Sequence, residues 1–188
     1  MKLILASGSP RRRELLGFYT KEFDVCVSKF DEHAVQAPTP AALAGALARG
    51  KCLAVAASHP GCVVVGSDTV VELDGEVFGK PQDADDARRM LRALSGRTHE
   101  VHTGVCVSDG ARTESFVDTC KVTFFPIPEA ELERCIASGE PFDKAGAYAI
   151  QGCAALWLDR LEGDYYTIMG LPVSRTARLL DRFNLEKR

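Results

Sequence analysis

The sequence predicts an α/β protein with a mixed sheet and flanking helices, folded as a single domain over residues 1–188. Strand and helix patterns alternate early in the chain, which is typical of parallel strands joined by helical crossovers. The middle of the chain carries two strong hairpin signals, Asp74-Gly75 and Asp109-Gly110, which indicate antiparallel pairs. The length is sufficient for one compact domain with a sizeable apolar core.

Caps, turns and apolar runs place the individual elements. Ser9 is a good N-cap and Pro10 occupies the favoured first helical position; Thr39-Pro40 repeats this pair, and Asp83 caps a third helix. Continuous β-branched runs predict buried strands. The predicted strands are residues 2–6, 23–27, 62–65, 98–107, 113–125, 154–161 and 165–168, and the predicted helices are residues 10–17, 40–57, 84–94, 128–138 and 172–183.

Charge and hydropathy exclude several classes of protein. The formal net charge is −3, so a general affinity for nucleic acids or membranes is not expected. No stretch approaches the roughly 20 apolar residues of a membrane span. The apolar run at residues 3–6 is too short for a signal peptide. We therefore expect a cytoplasmic protein.

The seven cysteines are scattered, and no C-x-x-C pair occurs among them. An odd number at irregular spacing argues against a disulfide framework, and the missing pairs argue against a zinc knuckle. We expect reduced cysteines that serve as small apolar side chains.

The first candidate site is the turn at residues 7–13, Ser-Gly-Ser-Pro-Arg-Arg-Arg, between a strand and a helix. A helix N-terminus already carries a partial positive charge, so Arg11, Arg12 and Arg13 are unfavourable there unless an anion binds. Backbone N–H groups and guanidinium groups would then point at phosphate oxygens. The alternative is that all three arginines extend into solvent. The turn is not a Walker P-loop, because G-x-x-x-x-G-K-[ST] is absent from the chain.

Asp68 is the second candidate, in a Gly-Ser-Asp-Thr segment predicted at the end of a buried strand, where open α/β sheets place ligand sites. A carboxylate there suits a divalent cation beside phosphates, or proton transfer from water; a turn or cap role is the plainer alternative. Glu32, in a polar loop, is a further candidate acid. Lys51 continues an apolar helix stripe and either snorkels or reaches a cleft. Lys80 stands between Gly79 and Pro81, where an exposed lysine is the ordinary expectation.

Two further features are less specific. Gln151 ends a run of small residues that allows close backbone approach, and its amide suits the edge of a base, although a buried and satisfied glutamine fits the segment equally well. His99 and His102 lie three apart on a predicted strand, so they face opposite sides and do not form a metal pair.

Five segments together resemble the Maf family of nucleotide pyrophosphatases, also called septum-formation inhibitors. They occur in family order and span almost the whole chain. The resemblance implies a fold like that of the inosine triphosphate pyrophosphatases, with a strongly bent mixed sheet and two lobes around a cleft, often in a homodimer. The segments are residues 5–12, 67–70, 79–81, 145–152 and 170–172.

The resemblance also implies roles for individual residues. Asp68 would accept a proton from the attacking water, and Glu32 with Asp68 would hold a divalent cation, Mg²⁺ or Mn²⁺. The residues that would contact the triphosphate are Ser7, Arg12, Lys51 and Lys80.

The family divides by substrate, and three positions distinguish the branches. Arg11, Thr69 and Gln151 match the dTTP/UTP branch, whereas the 7-methyl-GTP branch typically has Trp, Gln and Glu there. The resemblance thus implies hydrolysis of dTTP and UTP to the monophosphate and pyrophosphate. The alternative hypothesis, suggested by the family's second name, is a regulator of septum formation that binds a nucleotide without hydrolysing it.

Overall fold

The structure is a computed structural model that describes residues 1–185. Its centre is a seven-stranded sheet with the order β2-β1-β3-β5-β6-β7, in which β4 also pairs with β3. The strands are β1 (Leu3–Leu5), β2 (Asp24–Val25), β3 (Val63–Leu73), β4 (Glu76–Phe78), β5 (Thr98–Ser108), β6 (Thr113–Phe124) and β7 (Leu158–Glu162).

The sheet is mixed, as predicted. Strand β1 runs parallel to both β2 and β3, and every other pair is antiparallel. The two predicted hairpins are present: Asp74-Gly75 joins β3 to β4, and the turn after Ser108 joins β5 to β6. The strong bend of the sheet and its two lobes stay predictions.

Helices cover both faces of the sheet. Side chains such as Ile4, Val64 and Cys106 pack against α2, whereas their sequence neighbours pack against the other helices on the opposite face. This alternation is the period of two expected for strands buried on both sides. The helices are α1 (Pro10–Leu16), α2 (Pro40–Ala56), α3 (Ala84–Leu94), α4 (Glu129–Ala137), α5 (Tyr165–Met169) and α6 (Val173–Leu180).

Two glycines let α2 lie directly on the sheet. A Cβ atom at Gly66 of β3 would stand 2.5 Å from the carbonyl oxygen of Ala48, and one at Gly104 of β5 would stand 2.3 Å from that of Ala44. Both distances are far shorter than any real contact of a Cβ atom, so a side chain at either glycine would displace the helix. The helix that carries Lys51 is thereby held close to β3.

Strand β3 has an interrupted edge on the side that faces β1. It pairs with β1 through residues 63–65 and with β4 through residues 71–73. Within the described chain, residues 66–70 pair on that side with neither strand. The turn that follows β1 enters at this gap, where Ala6 donates its N–H to the Val65 carbonyl over 2.7 Å.

The prediction of a strand at residues 165–168 is wrong. These residues form α5, in which the Asp164 side chain accepts the N–H of Tyr166 and Gly170 ends the helix with a φ of 104°. The strand predicted at 154–161 begins only at Leu158, after a 3-10 turn over Cys153–Leu156. Among the helices of residues 1–185, none is both long enough and apolar enough to span a bilayer.

Candidate active site

The first part of the site is the turn that joins β1 to α1. Ser7 is 8% exposed at the end of the strand, and its Oγ accepts the backbone N–H of Ser9. Ser9 in turn caps α1 by accepting the N–H of Arg12, as the sequence predicts. The local sequence therefore fixes where α1 begins, and with it the position of Arg12.

Arg12 points inward and joins three parts of the chain. Its Nε donates to the Gly170 carbonyl over 2.9 Å, one terminal nitrogen donates to Ser7 Oγ over 3.2 Å, and the other donates to Thr69 Oγ1 over 3.1 Å. All three acceptors are neutral oxygens. Burial lowers the pKa of Arg12, and the charge of Asp68 opposes that effect. The guanidinium is a partly desolvated cation, and an anion at this site would stabilise it.

The support for Arg12 includes residues to which the sequence analysis assigned no role. The Gly170 carbonyl also accepts the hydroxyl of the fully buried Ser67 over 2.8 Å. Thr69 Oγ1 shares a hydrogen bond of 2.9 Å with Thr103, whose hydroxyl also lies 2.7 Å from the Thr167 carbonyl. The sequence signals for this network were the segments at 67–70 and 170–172, whereas nothing in the sequence pointed to Thr103.

The second part of the site is a group of three charges around Lys51. Its Nζ lies 2.5 Å from Asp68 Oδ1 and 2.8 Å from Glu32 Oε2. The Lys51 and Asp68 side chains are each 13% exposed, whereas Glu32 is half exposed. Lys51 thus reaches into the site rather than snorkelling into solvent. Two carboxylates and one ammonium leave a net charge of −1 at this point.

The loop that carries Glu32 is held against α2 by Phe30. The Phe30 ring lies over Gly50, where a Cβ atom would come within 2.3 Å of the ring. The same side chain packs against an apolar cluster that includes Leu47 and Val70. This packing places Glu32 beside Lys51, which is one residue after Gly50.

Asp68 was predicted at the end of a strand, and that prediction is wrong. It lies near the middle of β3, opposite Gly104 of β5. Asp68 and Thr69 point to opposite faces of the sheet: Asp68 contacts α2 through Lys51, and Thr69 contacts α1 through Arg12. Both belong to the stretch at 66–70, which pairs with β5 but has no strand partner on its other edge in the described chain.

Within the described chain, no hydrogen bond or ion pair joins the remaining predicted residues to Asp68. Lys80 and Gln151 are exposed, so Gln151 is not the buried and satisfied residue that was one alternative. Their segments are joined, because Gly146 donates its N–H to the Gly79 carbonyl over 3.1 Å. Arg11 is half-buried. A hydrogen bond from Lys144 lowers the pKa of Asp143, and Arg11 contributes to that shift.

The two histidines face opposite sides, as predicted. His99 Nε2 lies 2.7 Å from the hydroxyl of Tyr148, whereas His102 Nε2 lies 2.9 Å from Glu72 Oε2 and belongs to the face covered by α2. Neither contacts Asp68. Arg13 is exposed, so only Arg12 of the three arginines binds across the turn.

The Asp68–Glu32 pair fits a hard divalent cation. Their carboxylate oxygens converge on one point, which the ammonium of Lys51 shares. Mg²⁺ is commonly held by one or two carboxylates together with water and substrate phosphates. The donor set therefore suits a hard divalent cation such as Mg²⁺ or Mn²⁺.

The fold defines a class of α/β proteins that also includes two solved structures. The Ham1 protein of Staphylococcus aureus aligns with a TM-score of 0.56 and 13% identity, covering 97% of this chain and 99% of that one. A HAM1 protein from Coxiella burnetii aligns with a TM-score of 0.51 and 12% identity, covering 97% of this chain and all of the other. At such low identity the likeness extends to the fold alone.

The chain belongs to the Maf-like protein family, whose family model matches residues 2–183. A dTTP/UTP pyrophosphatase of Bacillus cytotoxicus is 45% identical over 183 residues, which cover 97% of this chain and 96% of the relative. A dTTP/UTP pyrophosphatase of Bacillus velezensis is 45% identical over 185 residues, with 98% of both chains covered. The family resemblance of the five sequence segments is thus confirmed.

Proposed function

We propose that this protein hydrolyses dTTP and UTP to the monophosphate and pyrophosphate. The observation that carries the proposal is the convergence of Asp68, Glu32 and Lys51 beside the partly desolvated Arg12. The names and high identity of the two Bacillus relatives support the same substrates. A triphosphate brings about four negative charges, which a cation and the basic side chains of the site would offset.

Ser7, Arg12, Lys51 and Lys80 are proposed to bind the triphosphate. Arg12 is positioned by neutral acceptors, so phosphate oxygens would compete only with weak partners for its donors. Lys51 is near enough to Asp68 to hold a phosphate oxygen beside the carboxylate. Lys80 is exposed in the turn after β4. Its ammonium is proposed to contact the triphosphate once the substrate binds.

Asp68 is proposed as the proton acceptor for the attacking water. Its Oδ1 contacts Lys51, which leaves Oδ2 to take the proton as the water oxygen bonds to the α-phosphorus. The bond from the α-phosphorus to the bridging oxygen then breaks, and pyrophosphate leaves. Asp68 and Glu32 would also hold Mg²⁺ or Mn²⁺, which when bound supplies positive charge to the phosphate oxygens.

Arg11, Thr69 and Gln151 are proposed to select the base. Thr69 adjoins Asp68, and Arg11 adjoins Arg12, so both lie next to the phosphate-binding groups. Gln151 is exposed with its amide available to a ligand. These positions would let a pyrimidine nucleotide be distinguished after its phosphates are bound.

A nucleotide panel tests the proposal. Pyrophosphate release should be measured for dTTP, UTP, CTP, ITP and 7-methyl-GTP, with Mg²⁺ or Mn²⁺ present and with a chelator. The highest kcat/KM is expected for dTTP and UTP. A clear preference for 7-methyl-GTP or ITP would overturn the substrate assignment. Tight UTP binding without turnover would favour the regulator that binds without hydrolysis.

The proposal includes a cytoplasmic location and a homodimer. All seven cysteines are free thiols, which is usual for proteins in a reducing compartment. Fractionation of the native host would test the location, and light scattering of the purified protein would give the mass of the particle. A monomer at working concentration would remove the dimer from the proposal.

A further inference from the structure

Two cysteines and a glutamate converge beside the segment that carries Gln151. Cys135 lies on α4, Glu140 begins the 3-10 turn that follows, and Cys153 begins another 3-10 turn. Their two Sγ atoms and one carboxylate oxygen all lie within 4.8 Å of one another. We call these three residues the Cys-Glu cluster.

The sulfur–oxygen distance between Cys153 and Glu140 is close to that of a zinc tetrahedron. Zinc bonds of about 2.3 Å to sulfur and about 2.1 Å to oxygen, at tetrahedral angles, separate sulfur from oxygen by about 3.6 Å. The Cys153 Sγ atom lies 3.5 Å from Glu140 Oε2. The Cys135 Sγ atom lies within 4.8 Å of both. The donors thus need little movement to share one ion.

The surrounding backbone holds the glutamate in place. Both Glu140 oxygens accept the N–H of Cys153, over 3.0 and 3.3 Å. A Cβ atom at Gly152 would stand 2.1 Å from Glu140 Oε1, so the carboxylate sits where only glycine leaves room. Outer hydrogen bonds of this kind orient metal ligands.

The charges that face the cluster are few. Lys144 Nζ donates to the Glu140 carbonyl over 3.0 Å and also contacts the Asp143 carboxylate. Burial raises the pKa of Cys135, whereas the charge of Lys144 acts in the opposite direction. A soft divalent cation would replace the two thiol protons and compensate the burial of two thiolates.

We propose that Cys135, Glu140 and Cys153 form a site for a zinc ion, with water as the fourth ligand. On binding, both thiols lose their protons to the buffer and two zinc–sulfur bonds form. The site is separate from the Asp68 cluster in its residues and in its thiolate ligands, which favour softer cations. It would fix α4 to the 140–153 segment, and so stabilise the backbone that carries Lys144 and Gln151.

Cobalt substitution provides a readout that does not depend on activity. Protein freed of metal under a phosphine reductant should be titrated with Co²⁺ and then with Zn²⁺ in competition with a chromophoric chelator. We expect a near-ultraviolet thiolate-to-cobalt band that saturates at one equivalent and is displaced by Zn²⁺. Cys153→Ser should lose half or more of the band and weaken zinc binding at least tenfold.

Matched variants separate this site from other donors. Cys62→Ser removes a partly buried thiol elsewhere and should leave the band intact, and Asp68→Asn should leave it intact as well. Glu140→Gln should keep the thiolate band while weakening zinc binding, since the amide still accepts the Cys153 N–H. This variant and Cys153→Ser avoid changing the fully buried Cys135.

Three results would overturn the proposal. The first is no thiolate band in the wild-type protein, and the second is a band that survives Cys153→Ser unchanged. In the third, glutathione disulfide oxidises Cys135 and Cys153 to an intramolecular disulfide, and zinc does not bind the reduced protein. That last outcome would make the cluster a redox pair rather than a metal site.

Discussion

The ammonium of Lys51 lies 2.5 Å from Oδ1 of Asp68, across the face of the sheet that α2 covers. Because Glu32 shares the same ammonium, Lys51 occupies the position toward which two carboxylates converge. A lysine so placed both neutralises the carboxylates and competes with a cation for them. Removing this lysine should therefore have two opposite effects, one on substrate use and one on cation binding.

Lys51→Met should weaken substrate use and strengthen cation binding. Loss of a charge-assisted contact to phosphate should lower kcat/KM by about 10- to 100-fold. Without nucleotide, Mn²⁺ should bind more tightly than in the wild type, because the two carboxylates lose their internal cation. Calorimetry with Mn²⁺ measures the second effect. Lys121→Met, on exposed β6, is the control, and equal effects in both variants would contradict the assignment.

Asp68→Asn should abolish turnover. Removal of a general base costs about 10²- to 10⁴-fold in kcat, and the amide keeps the size of the side chain. Pyrophosphate release and circular dichroism would separate loss of chemistry from loss of fold. Glu72→Gln changes another acid on the same face of β3 and should retain activity. Full activity of Asp68→Asn would remove its role as proton acceptor.

Gly170→Ala should disturb the hydrogen bonds of Arg12 and also strain the backbone at residue 170. Gly170 has a φ of 104°, and a Cβ atom would stand 3.2 Å from both Arg12 Nε and Thr69 Oγ1. The backbone strain alone costs about 1–3 kcal/mol of unfolding free energy. Gly110→Ala has a similar strain, with a φ of 90°, but no neighbour within 4 Å. Both variants should lose stability, and only Gly170→Ala should raise KM.

The pH dependence of stability should contain a component from His99. Burial lowers the pKa of His99 to about 4, so the unfolded chain binds a proton more readily than the folded protein below its ordinary pKa of 6.5. This component is fully present above about pH 6.5 and is lost as the pH falls toward 4. It should remove about 2 kcal/mol of unfolding free energy between pH 7.5 and pH 5.

Urea denaturation at the two pH values measures the His99 effect. His99→Phe should reduce the difference in unfolding free energy between the two pH values, since the new ring still packs against Phe124 but cannot gain a proton. His33→Gln changes an exposed histidine and should leave the difference as in the wild type. If His99→Phe shows the same difference in unfolding free energy between the two pH values as the wild type, the acid sensitivity belongs to other groups.

Gly104→Ala should destabilise the protein through the contact between α2 and the sheet. A new methyl group would meet the Ala44 carbonyl at 2.3 Å, so the helix or the strand must move. Overpacking of this kind costs about 1–3 kcal/mol or more. Gly79→Ala, where a Cβ atom meets nothing within 4 Å, is the control for stability. Equal urea midpoints for both variants would mean that α2 adapts without cost.

Most of the fold could be predicted because caps, turns and β-branched runs act locally. The long strands β5 and β6 and the helices α2 and α3 lie within a residue or two of their predicted bounds. The error at Tyr165–Met169 has a clear cause. Aromatic and β-branched residues favour strands, but the Asp164 cap and the left-handed Gly170 impose one short helix.

The site was predictable in its residue types but not in its arrangement. Ser7, Arg12, Lys51, Asp68 and Glu32 are brought together, as a set of basic and acidic groups for a phosphate site would require. The position of Asp68 inside a long strand could not be inferred, since the Gly-Ser-Asp-Thr segment resembles a turn. The support from Ser67 and Thr103 depends on long-range contacts that leave no local pattern.

The two glycines beneath α2 also fix the register of β3 against β5. A slip by one residue would exchange the faces of Asp68 and Thr69, so the acid would point toward Arg12 and the hydroxyl toward Lys51. It would also bring side chains of β3 against the Ala48 carbonyl, which only Gly66 accommodates. The contact that holds the helix thus disfavours a shifted pairing that would keep the sheet but exchange the two faces of the site.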